Sequence, residues 1–351
     1  MVRSLVCLAF LGMLVLVPGA GRAATTDAAV NVQIDTTEPQ AALAIMAKLR
    51  RSQPVTAQDW NALFATRGYE LLKKRQADFH RPFSDDSFKA FISDPKTLAT
   101  YQQLSDTLAT WISSDIVMLA HRAFVYLPAG SKLHATVYPL IKPATNSYVY
   151  QLDTDPAIML FLDPTLTKDQ FGNTVSHELY HIGDSQNCPS APIAAQEAKY
   201  PQMQRDFLNW LSAFGEGSAM LAAAGGPDVH PHWEDPQSDK DVWDKAMSNY
   251  TTDFRSLQTF FADIADGTLK GDTIDKQGYT FFGDVQGPWY TVGYKMNVLI
   301  EHTFGRAKLI DAICDKRSYL ATYNEAAMKN NAAGNPPLPL WSSQLTSLFQ
   351  K

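Results

Sequence analysis

His177-Glu178-Leu179-Tyr180-His181 is the segment whose residue types and spacing bear most directly on chemistry. On a helix, His177 and His181 fall one turn apart on one face. Two imidazoles so placed can ligate one zinc ion. Glu178 projects about 100° around the helix from His177, close enough to reach a water on that metal. Zinc makes such a water more acidic, and the carboxylate can take its proton. The chain has eight His among 351 residues and, read along the sequence, eight Glu. Composition alone would produce this pattern about 0.004 times.

That chemistry needs a helix to carry it. Thr167 and Gln170 form a capping-box pattern that starts one. Phe171 and Val175 give it an apolar side, and Gly183 is expected to end it.

A catalytic zinc typically has three protein ligands and one open position. An extension with Gly at 184 and His at 187 is excluded, because those positions hold Asp184 and Asn187. A glutamate after eighteen intervening residues is also excluded, since Tyr200 stands there. Glu197 is out of phase and reads as a solvated surface carboxylate. Glu216 is the better candidate. It lies in Phe214-Gly215-Glu216-Gly217-Ser218-Ala219-Met220, inside a helix expected from about Pro201 to Gly225-Gly226-Pro227. Interior glycine costs a helix about 1 kcal/mol. Two of them around one glutamate suit a close approach between helices and a metal. His230 and His232 compete as ligands, but their Pro-rich loop, residues 226–239, suits a substrate rim or surface better.

HELYH followed by Gly-Glu-Gly-Ser-Ala resembles the gluzincin metallopeptidases. The M1 aminopeptidase branch carries N-E-G-x-A where this chain reads G-E-G-S-A, and its ligand spacing is shorter. The whole chain, with Trp60 and Gly68-Tyr69 in its helical lead-in, looks more like an uncharacterised group of bacterial secreted zinc-dependent peptidases of the same clan. The specific motifs cover about residues 170–310. The resemblance implies a zincin-like fold, one zinc on His177, His181 and Glu216, and a catalytic tyrosine in Gly287-Pro288-Trp289-Tyr290-Thr291-Val292-Gly293. Tyr290 fits that role, because a phenol O–H can donate to a developing oxyanion. Pro288 suits a first helical position, and Gly293 clears the same face one turn on. Tyr294 is the reserve candidate. The resemblance also implies that the strands before HELYH offer an edge to an extended peptide.

The elements around these motifs read as helix, strand, helix. Residues 39–111 carry helical spacing (Ala42, Ile45, Met46, Leu49), with a second helix starting near Thr56. Phe79, Phe83, Phe88 and Phe91 are expected in the core or lining a groove. Short β-rich runs at 124–127, 135–138, 148–150 and 158–161 suggest a sheet of three to five strands within about 122–162. Helical pattern then returns, interrupted at 226–239 and at an irregular stretch expected over 266–288. The fold class is therefore α+β, predominantly helical. A helical region over 24–120 precedes a catalytic region over 121–351.

Residues 1–23 read as a secretory signal peptide cleaved near Ala23: Arg3, an apolar run from Leu5 to Val17, then Pro18-Gly19 and small residues. That run is too short to span a bilayer, which takes about 20 residues. The expected location is secreted or periplasmic, with no membrane association after cleavage. A propeptide between Ala24 and Pro39 is conceivable. Cleavage also removes Arg3 and Arg22, which takes the formal charge from −6 to −8. Cys188 and Cys314 remain as one disulfide or two free thiols. The acidic balance and the lack of a basic block exclude nucleic acid as a partner.

The expected function is zinc-dependent hydrolysis of a peptide or protein substrate. Two alternatives are an inactive zincin-fold peptide-binding protein and a zinc hydrolase of a non-peptide substrate. Endo- or exopeptidase action, subsite preference and oligomeric state are left open; the absence of a G-x-M-E-N run disfavours aminopeptidase action.

Overall fold

The computed structural model describes residues 29–349, apart from 153, 284 and 285. The expected signal peptide lies outside the described residues. Among the described residues, no helix is long and apolar enough to cross a membrane.

Among the described residues, four strands form one sheet in the order β1-β2-β4-β3. They are β1 (Val30–Ile34), β2 (Leu133–Leu140), β3 (Tyr148–Tyr150) and β4 (Ala157–Phe161). β2 and β4 are buried almost throughout, as apolar runs covered on both faces should be. β2 pairs parallel with β1 and with β4, for example Thr136 opposite Ala157. β3 closes the edge antiparallel to β4.

The expected strands at 135–138, 148–150 and 158–161 are present. The one at 124–127 is not. Phe124 instead ends a helix that Asp115 caps by accepting from Met118 N, and Leu119, Ala120 and Ala123 face the core at helical spacing. The sheet also recruits β1 from the region expected to be helical. Five residues hold an edge position there because β2 supplies the hydrogen-bonding partner.

Among the described residues, seven helices precede β2: α1 (Thr37–Arg50), α2 (Ala57–Phe64), α3 (Arg67–Asp78), α4 (Asp85–Ser93), α5 (Pro95–Ala99), α6 (Tyr101–Ile112) and α7 (Ile116–Phe124). Thr56 caps α2 in a reciprocal capping box with Asp59, so that helix begins where expected. Phe88 is buried, and Phe83 and Phe91 are partly so. Phe79 departs from expectation: it sits after the end of α3, 55 % exposed, with Arg75 and Arg81 over its ring.

After the sheet come α8 (Lys168–Asn187), α9 (Ala191–Glu197), α10 (Gln202–Leu211), α11 (Gly215–Ala224), α12 (Gln237–Ser248) and α13 (Tyr250–Ala265). The chain continues through α14 (Asp272–Thr280), α15 (Pro288–Phe304), α16 (Arg306–Cys314), α17 (Tyr319–Ala332) and α18 (Ser343–Thr346). α14 occupies part of the stretch expected to be irregular. Its Gly278 faces Trp210, and its Gly278 carbonyl accepts from the Trp289 indole at 2.9 Å. Gly183 does not end α8. It lies inside the helix because a Cβ there would come within 2.5 Å of Leu127. A disulfide joins Cys188, just past the end of α8, to Cys314 at the end of α16.

Candidate metal centre

α8 is fixed before any metal is considered. The Thr167 hydroxyl accepts from Gln170 N, and the Gln170 side chain accepts from Thr167 N. Gly172 and Gly183 let the helix settle onto Leu119 and Leu127. Ser176 donates to the Leu119 carbonyl at 3.0 Å. This fixes the face that carries His177 and His181.

α11 brings Glu216 to that face. It follows α10 through a short 3-10 turn and ends at Gly225, which adopts φ 87°. Left-handed backbone of this kind suits glycine. Gly217 is the decisive glycine. A Cβ there would come within 2.1 Å of Tyr294 N and 2.6 Å of Gly293 Cα. α11 and α15 therefore meet backbone to backbone at Gly217 and Gly293. Gly215 faces open space, so only one of the two flanking glycines makes the close approach. Next to the crossing, Asn297 donates to Ser218 at 2.9 Å and accepts from the Tyr319 hydroxyl at 2.7 Å. All three side chains are buried, and the network ties α11 to α15 and α17.

Three donor atoms converge as a result. His177 Nε2 and His181 Nε2 are 3.1 Å apart, and each lies 3.2 Å from Glu216 Oε2. Donors about 2.0–2.1 Å from a shared ion at tetrahedral angles lie about 3.3–3.4 Å from one another. The triangle thus matches a single zinc, with two nitrogens and one carboxylate as the donor set. The three side chains keep between 16 and 24 % exposure, so an ion and a water can enter from the cleft.

Burial alone would lower the His181 pKa, but the carboxylates of Glu216, Glu178 and Asp184 outweigh it and raise it to about 9. Burial pushes Glu216 up, yet His181 and His177 together pull it below the usual carboxylate range. A second set of donor atoms, on Asp184, Cys188 and Cys314, is not available to a metal in the same way, because the disulfide consumes both sulfurs.

Tyr290 stands beside the triad in the first turn of α15, where Pro288 takes an initial helical position. Its ring stacks on His177 with centroids 6.3 Å apart. Burial, then the carboxylates of Glu216 and Glu178, keep its phenol protonated well above the ordinary range. Tyr294 is not a second candidate, because its hydroxyl donates to the Val229 carbonyl at 3.0 Å. Glu178 lies near enough to act electrostatically on both His181 and Tyr290. Glu197 is elsewhere, on α9 near Lys316 and Arg317, and half-buried rather than solvated.

A cavity of about 510 Å³ opens beside His177 and Tyr290. Helices and loops line it, and among the described residues no strand residue does. β3, the sheet edge, instead packs its Tyr148 and Tyr150 against Arg75, Lys74 and Asp78 of α3. His232 lies in the cavity wall, as expected of a rim residue, and is held by Asp235 at 2.6 Å and Gln286 at 2.7 Å. His230 pairs with Asp244. The stretches at 226–239 and 266–288 were expected to flank a cleft, and both reach this wall, but sequence reasoning did not single out Asp235, Asp239 or Gln286 within them. Aspartates are common in this chain, and no periodicity marked these two.

The family model described as "Putative zinc dependent peptidase (DUF5700)" matches residues 60–332. The chain belongs to this family. No curated protein and no solved structure matches it.

Proposed function

We propose that the chain is an exported zinc metallopeptidase in which His177, His181 and Glu216 hold the metal. The triangle of donor atoms, 3.1–3.2 Å on each side, carries this reading. A zinc ion in that position supplies a Lewis acid and makes a water more acidic. Glu178 accepts the proton of the attacking water and returns it to the leaving amine. Tyr290, held protonated, donates to the carbonyl oxygen as it gains negative charge. The Cys188–Cys314 disulfide supports export, since such bonds persist in oxidising compartments. The apolar segment at 5–17 supports it too.

Metal analysis and a peptide-pool digest test the proposal. One zinc per chain is expected. Glu178→Gln should keep the zinc and lower kcat by about 10²–10⁴-fold. Undiminished cleavage by that variant would overturn the role of Glu178. A zinc-loaded wild type that cleaves no peptide would instead indicate a binding protein on a peptidase scaffold, or a hydrolase of another substrate.

A further inference from the structure

Apart from His177 and His232, the charged side chains in the wall of the cavity beside the triad are acidic. Among the described residues its acidic groups are Asp235 and Asp239, and neither lysine nor arginine lines it. Arg122 approaches Asn173 of the wall, but its guanidinium is paired with Glu234 at 3.3 Å. Asp235 is oriented by His232, which Gln286 holds from the opposite side. Asp239 lies in the first turn of α12, and among the described residues it has no ion-pair partner. The rest of the surface is apolar in large part, with Leu166, Met220, Ala223 and Val242 contributing.

An aliphatic lining next to two carboxylates fits a side chain with a long hydrocarbon stem and a cationic head. We propose that this cavity is the subsite for a lysine or arginine side chain of the peptide. The inference rests on the peptidase reading above and specifies which peptides that site takes. A cationic head placed there pairs with Asp239, whose side chain among the described residues otherwise has only the neighbouring Ser238 hydroxyl. An acidic side chain meets two like charges. A purely apolar one desolvates Asp235 and Asp239 without replacing their hydration. The volume falls within the range of about 300–1,000 Å³ of ligand pockets and so suits a whole side chain rather than a bare terminal amine.

The test uses terminally blocked peptides that differ at one position, carrying lysine, norleucine or glutamate there. Their binding to zinc-loaded Glu178→Gln protein is measured by calorimetry, with the variable residue moved along the peptide. At the best position, lysine should bind about tenfold more tightly than norleucine, and glutamate most weakly. Asp239→Asn should remove most of the preference for lysine, and Asp239→Lys should invert the order of lysine and glutamate. Asp239 is exposed and is not one of the metal ligands, so both substitutions should leave the zinc content unchanged. Equal binding of lysine and norleucine at every position overturns the inference. So does an unchanged order in Asp239→Lys. A peptide with a free amine and no basic side chain that binds as well as the blocked lysine peptide also overturns it, in favour of a terminal-amine site. Digestion by the wild-type enzyme is read separately. If it cleaves nothing while the lysine preference holds, the peptidase reading fails and the subsite stands.

Discussion

Glu38 and Glu216 are two carboxylates taken largely out of water in different parts of the molecule, with opposite consequences. Glu38 sits in the first turn of α1, 1 % exposed. One oxygen accepts from Ile141 N at 3.0 Å, and the other has no hydrogen-bond partner among the described residues. Burial drives its pKa up to about 8, although the Ile141 bond opposes the shift. Glu216 also pays for burial, but two imidazoles converge on it and hold it below the usual carboxylate range. Burial by itself therefore produces a neutral acid. A buried carboxylate suited to a cation needs its partners fixed in place, and α8 and α15 fix them.

The packing around the two glutamates differs in the same sense. Gly68 lies against Glu38, and a Cβ there would meet side chains: Leu140 Cδ2 at 3.0 Å and Glu38 Cβ at 3.2 Å. At Gly217 a Cβ would meet main-chain atoms of Gly293 and Tyr294 within 2.6 Å. Side chains can shift by a few tenths of an ångström, whereas two helix backbones cannot without separating.

The comparison breaks most sharply at the carboxylates themselves. Glu216→Gln should weaken zinc binding by more than about a hundredfold and abolish measurable cleavage, because it removes a charged ligand. Glu38→Gln should leave zinc content and cleavage as they are. Equilibrium dialysis and a fluorogenic peptide assay check both, and equal zinc loss from the two variants would erase the distinction. Tyr290→Phe should come next, with kcat lower by about 10²–10³-fold and zinc retained, since it deletes the proposed donor to the oxyanion. A variant that loses zinc as well would make Tyr290 a brace for Glu216 instead.

The glycines give a smaller effect, read in stability. Gly217→Ala should cost about 3 kcal/mol in denaturant unfolding and reduce zinc occupancy, as helix separation pulls Glu216 from the histidines. Gly68→Ala should change stability by less than about 1 kcal/mol, with helix propensity offsetting a mild clash. Gly215→Ala, facing open space, should be neutral or slightly stabilising. Equal losses at Gly217 and Gly215 would show that the close crossing does not matter.

Local rules in the sequence were enough to reveal part of the centre. The HELYH spacing and the Thr167–Gln170 box are decided within one helix. Glu216 was legible because interior glycine is costly enough to need a reason, and Gly217 supplies one. Which helix it approaches was not legible, since Gly293 lies 76 positions away. The same limit hid β1, whose partner β2 begins about a hundred residues later. It also hid the end of α7, where aromatic and β-branched residues imitate a strand until the Asp115 cap and the buried face are seen. Gly183 misled because glycine ends helices and also permits contact, and only Leu127 decides between the two. Asp235 and Asp239 gave no signal, because in this chain aspartate carries most of the general acidity.

The last contrast is in pH. A carboxyl whose folded pKa lies above its unfolded value holds a proton in the folded state that the unfolded chain has already released. Its contribution is present in full below the unfolded pKa, near 4.5, and is lost as pH rises through the folded value, about 8. Wild-type stability should therefore fall by a few kcal/mol between pH 5 and pH 8 through Glu38 alone, with other groups superimposed. Glu38→Gln keeps an acceptor for Ile141 N and has no proton to lose. Denaturant unfolding of both proteins at the two pH values isolates the term. The variant should gain on the wild type as pH rises, with the difference small at pH 5 and largest at pH 8. Parallel pH profiles would mean that the Glu38 carboxyl titrates alike in the folded and unfolded chains. The contrast with Glu216 would then rest on packing alone.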